Sequence, residues 1–311
     1  MATPIGADHI TAIVNRHLMT DIIDLAYDGN PLFFRIYNSN RRFVDGGPQI
    51  EQPVMVNKFT SGGAFSDLDV LDMTPQDTLR TVAWDWKEKY VPVAFSNLTM
   101  VKLNSADSIA NGVEVQVQQA AMTMRELLGA GLYSTGTNPK EIDGLELAIN
   151  TTGTYGGVSR SGATGWWNGV TPGAAALTLD NLNDWQMAGV VGGRFPTIAV
   201  TTQVGYSTIW KLLSGNQTFY SVSEKDAQMA SAGFNNFIFN GTPFLIDPKC
   251  PANRLYFLNE DFIKLAVTPL SDFRMEPFQQ AFNQAAIAAK LLWTGQLLVT
   301  APKLQVKATF T

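Results

Sequence analysis

From Asp8 to Tyr27 the apolar residues Ile10, Val14, Leu18, Ile22 and Leu25 recur every three or four positions, which predicts an amphipathic helix with Asp8 as its N-cap. Asp28-Gly29-Asn30-Pro31 then stops it. Two β-rich stretches follow, Pro48 to Phe59 and Thr78 to Asn97, joined by Thr60-Ser61-Gly62-Gly63-Ala64 and an acidic-apolar run from Asp67 to Asp77. In the second stretch Val82, Trp84, Trp86 and Tyr90 fall on one face, and Thr81, Asp85, Lys87 and Lys89 on the other. An isolated two-stranded hairpin is marginal in water, so its Trp face must cover something. The pattern leaves open whether that is its own domain or a neighbouring molecule.

The longest helical pattern opens at Asn104, with Ile109, Val113, Val117, Ala120, Ala121, Met124, Leu128 and Leu132 three or four apart, and closes at Gly129, Gly131 and Gly136. Some 25 residues at 1.5 Å each make a rod of roughly 37 Å. Beyond Pro139 the texture changes to short strands and Gly-rich turns: strands at Leu145 to Ile149, Thr151 to Ser161 and Thr197 to Val204, with helices at Leu179 to Gly189, Gly205 to Leu213 and Ser223 to Ala232. Asn240-Gly241, between Phe237-Ile238-Phe239 and Pro243-Phe244-Leu245-Ile246, suits a two-residue hairpin turn. Strands are further expected at Leu255 to Leu258, Phe262 to Val267, Leu291 to Thr300 and Lys303 to Phe310, the last alternating as a half-exposed strand. The fold class is therefore mixed α+β.

Charge changes the picture. Only 16% of the 311 residues are charged, against about a quarter in ordinary soluble domains. Between Leu145 and Gly215 the charged residues are Glu146, Arg160, Asp180, Asp184, Arg194 and Lys211 alone. A surface so short of solvating groups favours burial against other subunits. The net charge of -5 and the lack of a basic stripe argue against sequence-independent nucleic-acid binding. No apolar window is long enough for a membrane span.

Candidate chemistry is sparse. His9 and His17 are the only histidines and Cys250 the only cysteine, so neither zinc spacing nor an intrachain disulfide exists. Asp67, Asp69 and Asp72 lack EF-hand spacing and read as solvating charges. The Gly-rich segments do not follow a phosphate-loop pattern. No catalytic residue, cofactor or metal is expected.

Several segments resemble the major capsid proteins of tailed and Mu-type bacteriophages, which share the fold named after phage Hong Kong 97. They are Asp143-Gly144-Leu145, Thr154-Tyr155-Gly156-Gly157-Val158-Ser159-Arg160, Trp166-Trp167-Asn168, Asp247-Pro248 ahead of Leu255-Tyr256-Phe257-Leu258, and the run from Phe273 through Pro277, Phe278 and Asn283 to Lys290-Leu291-Leu292-Trp293-Thr294-Gly295-Gln296-Leu297. The resemblance implies an N-terminal arm at 1–28 and a peripheral domain at 29–137 that carries an extended loop (49–93) and a spine helix (104–132). It further implies an axial domain at 138–253 and a return to the peripheral domain at 254–311. Lys58, Phe59, Phe65, Leu68, Trp84, Trp86 and Tyr90 of the loop would touch neighbouring subunits, Lys58 being a candidate for cross-linking to a neighbour's Asn. Tyr155, Gly156 and Gly157 would form a structural turn.

The implied function is an icosahedral head shell of pentamers and hexamers around double-stranded DNA, held without specific binding, located in the virion and assembled in the host bacterial cytoplasm. Portal, scaffolding and decoration proteins are the implied partners; lacking a long charged helical extension, the chain would use a separate scaffold or none. An encapsulin-like nanocompartment and an enzyme of unknown class are the alternatives.

Overall fold

The computed structural model of this chain describes residues 29–67, 69–71, 74–96, 106–162, 165–213, 238–280 and 285–311. The helices expected at 8–27 and 223–232 lie outside them, as do Asn104 and Ser105. In chain order, helix α1 (Pro31–Ser39) leads to β1 (Arg41–Phe43), the hairpin of β2 (Ile50–Met55) and β3 (Leu79–Trp84), then β4 (Lys87–Ser96) and helix α2 (Ala106–Gly131). Next come α3 (Leu145–Ala148), β5 (Thr154–Tyr155), β6 (Val158–Ser159), α4 (Leu179–Ala188), β7 (Ile198–Thr201) and α5 (Gln203–Leu213). The remainder is strand: β8 (Ile238–Phe239), β9 (Thr242–Ile246), β10 (Arg254–Leu258), β11 (Ile263–Val267), β12 (Arg274–Met275), β13 (Gln279–Gln280), β14 (Ala286–Val299) and β15 (Val306–Thr309).

Asn30-Pro31, which the sequence pattern reads as a stop, opens a helix. Proline lacks an N–H that the first turn does not need, and Leu32, Phe33, Ile36 and Tyr37 supply a buried face behind it. The Asn30 side chain donates to the Arg125 carbonyl at 2.9 Å and so ties this start to α2. Along α2 itself, Val113, Val117, Ala120, Ala121, Met124 and Leu128 are all buried, the row that the spacing predicts. Leu145 to Ile149 is the short helix α3 instead of a strand. Leu145, Ala148 and Ile149 fit spacings of three and four as well as an apolar run, and short runs do not decide between the two.

Two sheets share the work. In the first, β14 is central: β4 pairs along one edge from Ser96↔Ala286 to Lys87↔Gly295, while β13, β12 and β11 follow one another along its other edge. β1 extends this sheet in parallel with β11. In the second the order is β15-β10-β7-β9-β8, and Asn240 (φ 46°) with Gly241 (φ 80°) makes the β8–β9 turn in the left-handed conformation that the dipeptide allows. Ile198, Val200, Tyr256 and Leu258 point from this sheet into the main core with α2 and β14. Ala199, Leu255, Phe257 and Val306 point the other way, onto Leu182 and Trp185 of α4 and Ile209 of α5.

Two expectations are corrected here. A boundary at 253/254 cuts the second sheet, because β10 pairs with β7 on one side and β15 on the other, while of residues 254–311 only 263–299 belongs to the first sheet. The pairing joins residues far apart in sequence, which local pattern does not reveal. Nor is the last strand half-exposed: Gln305 and Lys307, on the supposed outer face, are buried. Their polar atoms are satisfied inside, Gln305 by the Asn259 backbone and Lys307 by Glu146.

Candidate assembly surface

The hairpin β2–β3 pairs from Ile50↔Trp84 to Met55↔Leu79 and leaves residues 57–77 beyond its ladder. Its base is locked to the subunit. Trp84 is 1% exposed, its ring 5.9 Å from that of Tyr155 and 6.4 Å from that of Trp167. The turn at Tyr155-Gly156-Gly157 closes over it: the Ala83 N–H donates to the Gly156 carbonyl at 3.1 Å. A Cβ on Gly156 (φ 57°) would come within 2.3 Å of Val82 Cγ1, so glycine is required by both backbone and space. Tyr155 in turn accepts from the Val299 N–H at 2.9 Å through its hydroxyl, joining the turn to β14. Behind it, buried Arg160 donates to the carbonyls of Leu147, Ala148, Thr152 and Trp167.

Trp84 is therefore a core residue of its own subunit and is withdrawn from the set of neighbour-touching side chains. The alternation that grouped it with Trp86 and Tyr90 breaks at Asp85-Trp86, where β3 ends and β4 begins. Beyond the break Val91, Val93 and Phe95 are buried, so the inward phase moves from even to odd positions. Tyr90 consequently faces outward at 64% exposure, and Trp86 is half-buried, its indole N–H donating to the Gly47 carbonyl at 3.0 Å. Lys87 donates to the Pro139 carbonyl at 2.6 Å and Lys89 pairs with Glu141, which pins the start of β4 to the turn after α2.

The tip is different. Met55, Phe59, Phe65, Val70, Leu71 and Leu79 are all exposed, Phe59 at 73% and Val70 at 98%. Polar ties hold the segment in shape without covering them: the Thr60 N–H donates to Gln76 Oε1 at 2.8 Å, and the Ser66 N–H to Asp69 Oδ2 at 2.7 Å. Lys58 lines an open hollow with Asn57, Thr60, Gln76 and Asp77. Leu68 lies outside the described residues. Phe59, Phe65 and Lys58 thus sit where a neighbour could meet them. Met55, Val70, Leu71 and Leu79 belong with them; Val70 and Leu71 lie in the acidic-apolar run, whose aspartates drew attention away from its apolar half.

Among the described residues no group of three His, Cys, Asp or Glu side chains could hold a metal ion. Burial, with Asp247 and Glu146 nearby, pushes the Cys250 thiol well up, away from the reactive thiolate. The densest ionic cluster is internal: Glu146 on α3 receives the Lys307 ammonium at 2.9 Å, the Arg254 guanidinium at 3.1 Å and the Tyr256 hydroxyl at 2.5 Å. Burial alone would raise the Glu146 carboxyl; the hydrogen bonds from Tyr256 and Lys307 outweigh it and hold the group below its ordinary value. Every one of these contacts bridges α3 to the second sheet.

No protein-family model matches the chain, and no curated protein matches it in sequence. Among solved structures it is similar to the capsid of cyanophage A-1(L), with a TM-score of 0.64 at 18% identity over 90% of this chain and 92% of that one. The capsid of the native GTA particle follows, with a TM-score of 0.61 at 14% identity over 89% and 90%. The SrpI encapsulin of Synechococcus elongatus PCC 7942 also matches, with a TM-score of 0.58 at 12% identity over 88% and 86%. The chain has the fold of these shell proteins, the α+β capsid fold that the sequence resemblance implies.

Proposed function

We propose that this chain is a major capsid protein whose copies form pentamers and hexamers, and from them an icosahedral head enclosing double-stranded DNA. Its fold supports a shell, and the observation that carries the assembly role is the hairpin: a base locked into the subunit's own core and a tip of exposed apolar side chains. At about 25 cal/mol per Å², a few hundred Å² of apolar tip buried on a neighbour contributes several kcal/mol per copy before ordering costs. A shell repeats that contact at every subunit.

In this reading the first sheet with α2 is the peripheral domain and the second sheet the axial domain. DNA is contained without specific contacts, in keeping with the net charge of -5. No catalysis, cofactor or metal is needed. Portal, scaffolding and decoration proteins would complete the head, assembled in the bacterial cytoplasm and carried in the virion. The similarity to an encapsulin favours a second reading, a nanocompartment shell; particles purified from the native source would then lack a genome.

The test replaces residues 59–76 with a short Gly-Ser turn. The isolated subunit should keep its circular dichroism and its melting, because the base of the hairpin is untouched, while light scattering and electron microscopy should show shells for the intact chain and none for the variant. An intact chain that stays at 33.9 kDa under all assembly conditions, or a variant that forms shells of normal stability, refutes the proposal.

A further inference from the structure

The tip's composition restricts the surface that can receive it. Across residues 56–78 the chain carries Asp67, Asp69, Asp72 and Asp77 against Lys58, and Asp67 and Asp69 are exposed beside Phe65, Val70 and Leu71. A receptor must be apolar and basic at once. Elsewhere on the described surface the exposed large hydrophobics are scattered over α2, α4, α5, β4, β8 and single loops. One place combines two of them with three arginines. Phe43 on β1 is exposed, and so is Leu270, at 73%, in the turn between β11 and β12. Phe43 lies opposite Val267, three residues before Leu270, so both belong to one end of the first sheet.

Arg41, Arg42 and Arg274, all exposed, surround this end. Arg41 is held in place: its guanidinium sits 4.4 Å over the Tyr37 ring and 4.6 Å over the Phe43 ring and pairs with Asp272 at 3.0 Å. Arg274 reaches back to the Leu270 carbonyl at 3.4 Å. Arg42 enters no ion pair among the described residues, and Asp45 is the nearest acidic neighbour along the chain. β1 is also the terminal strand of its sheet, and nothing among the described residues pairs with its outer edge. An unpaired strand edge of this kind is a place where a second chain can add contacts.

We infer that the tip of one copy docks on the β1 end of a second copy, Phe65, Val70 and Leu71 against Phe43 and Leu270, with Asp67 and Asp69 facing Arg42 and Arg274. This rests on the shell reading above and assigns its receptor. Opposite charges set the register and apolar contact supplies the adhesion.

The experiment is a charge exchange in the full chain. Arg42→Glu with Arg274→Glu, both exposed, should leave the monomer's unfolding curve unchanged and lower shell yield at least about tenfold, since like charges then face each other. Adding Asp67→Lys and Asp69→Lys should restore most of that yield. As a check independent of charge, Phe65→Cys with Leu270→Cys should give chains linked copy to copy on non-reducing gels of assembled particles. Normal assembly of the Arg42→Glu/Arg274→Glu chain, lack of rescue by the paired reversal, or no linked chains in the cysteine variant would each overturn the receptor while leaving the shell reading standing. That reading fails separately, if the unaltered chain never assembles.

Discussion

Glu146→Gln removes one charge from the bridge between α3 and the second sheet and leaves its shape nearly intact. Lys307 and Glu146 have side chains only 9% and 10% exposed. With the carboxylate gone, the Lys307 ammonium keeps the Glu146 carbonyl at 3.1 Å as its remaining acceptor from that residue and has no compensating charge at hydrogen-bonding distance. Breaking a buried pair by removing one partner costs about 3–5 kcal/mol; because glutamine still accepts from Tyr256, the lower end, about 3 kcal/mol, is expected here. Urea unfolding of the unassembled subunit measures it.

The pH dependence gives a second readout. The folded-state carboxyl lies below its ordinary value of 4.5, so its stabilisation is fully present above that pH and is lost as pH falls through the folded-state value. The gap between the unaltered chain and Glu146→Gln should therefore narrow in acid. If the cost comes from the stranded ammonium, adding Lys307→Met should recover at least half of it. A loss below about 1 kcal/mol at neutral pH, or no recovery in the double variant, would show that solvent reaches this pair and would refute the reasoning.

Two further outcomes separate core from surface. Trp84→Ala should destabilise the unassembled subunit by about 3–5 kcal/mol, because a full indole leaves a cavity beside Tyr155 and Trp167, whereas Tyr90→Ala should change subunit stability by no more than about 0.5 kcal/mol; urea midpoints of the two variants decide it. Val117→Asp would place a carboxylate on the buried row of α2, costing several kcal/mol, and should give insoluble protein, which a soluble fraction of normal size would contradict.

How much of this was legible from sequence depended on range. The α2 row and the Asn240-Gly241 turn rest on spacing within a few residues, and they appear as the spacing predicts; the last strand forms too, but its outer face is buried as well. Helix α1 was hidden because Asn30-Pro31, which reads as a helix stop, also suits a helix start. The inversion between Trp84 and Tyr90 was hidden because a single period-2 run contains no mark for a one-residue phase change; only the Gly156 turn seated on Val82 and the partner β14 on the far side of the break reveal it. The division of the chain between sheets was least legible, since β10 and β15 are assigned by partners about 50–60 residues away. For the candidate surface, Phe59 and Phe65 were readable as apolar residues in a polar loop, while Trp84 was misread for want of the inversion.

The central place of β14 also sets a clock on synthesis. Its partner β4 is made about 190 residues earlier, and at roughly 5–20 residues per second the ribosome needs on the order of 10–40 s to bridge that interval. Throughout it Val91, Val93 and Phe95, with the apolar row of α2, have no strand to close against. A polysome translating this chain therefore carries a crowd of identical, half-closed sheets with the same exposed edge, a setting for cross-pairing between nascent chains. Holding them apart until β14 emerges becomes the task of whatever meets the chain at the ribosome, well before any question of shell geometry arises.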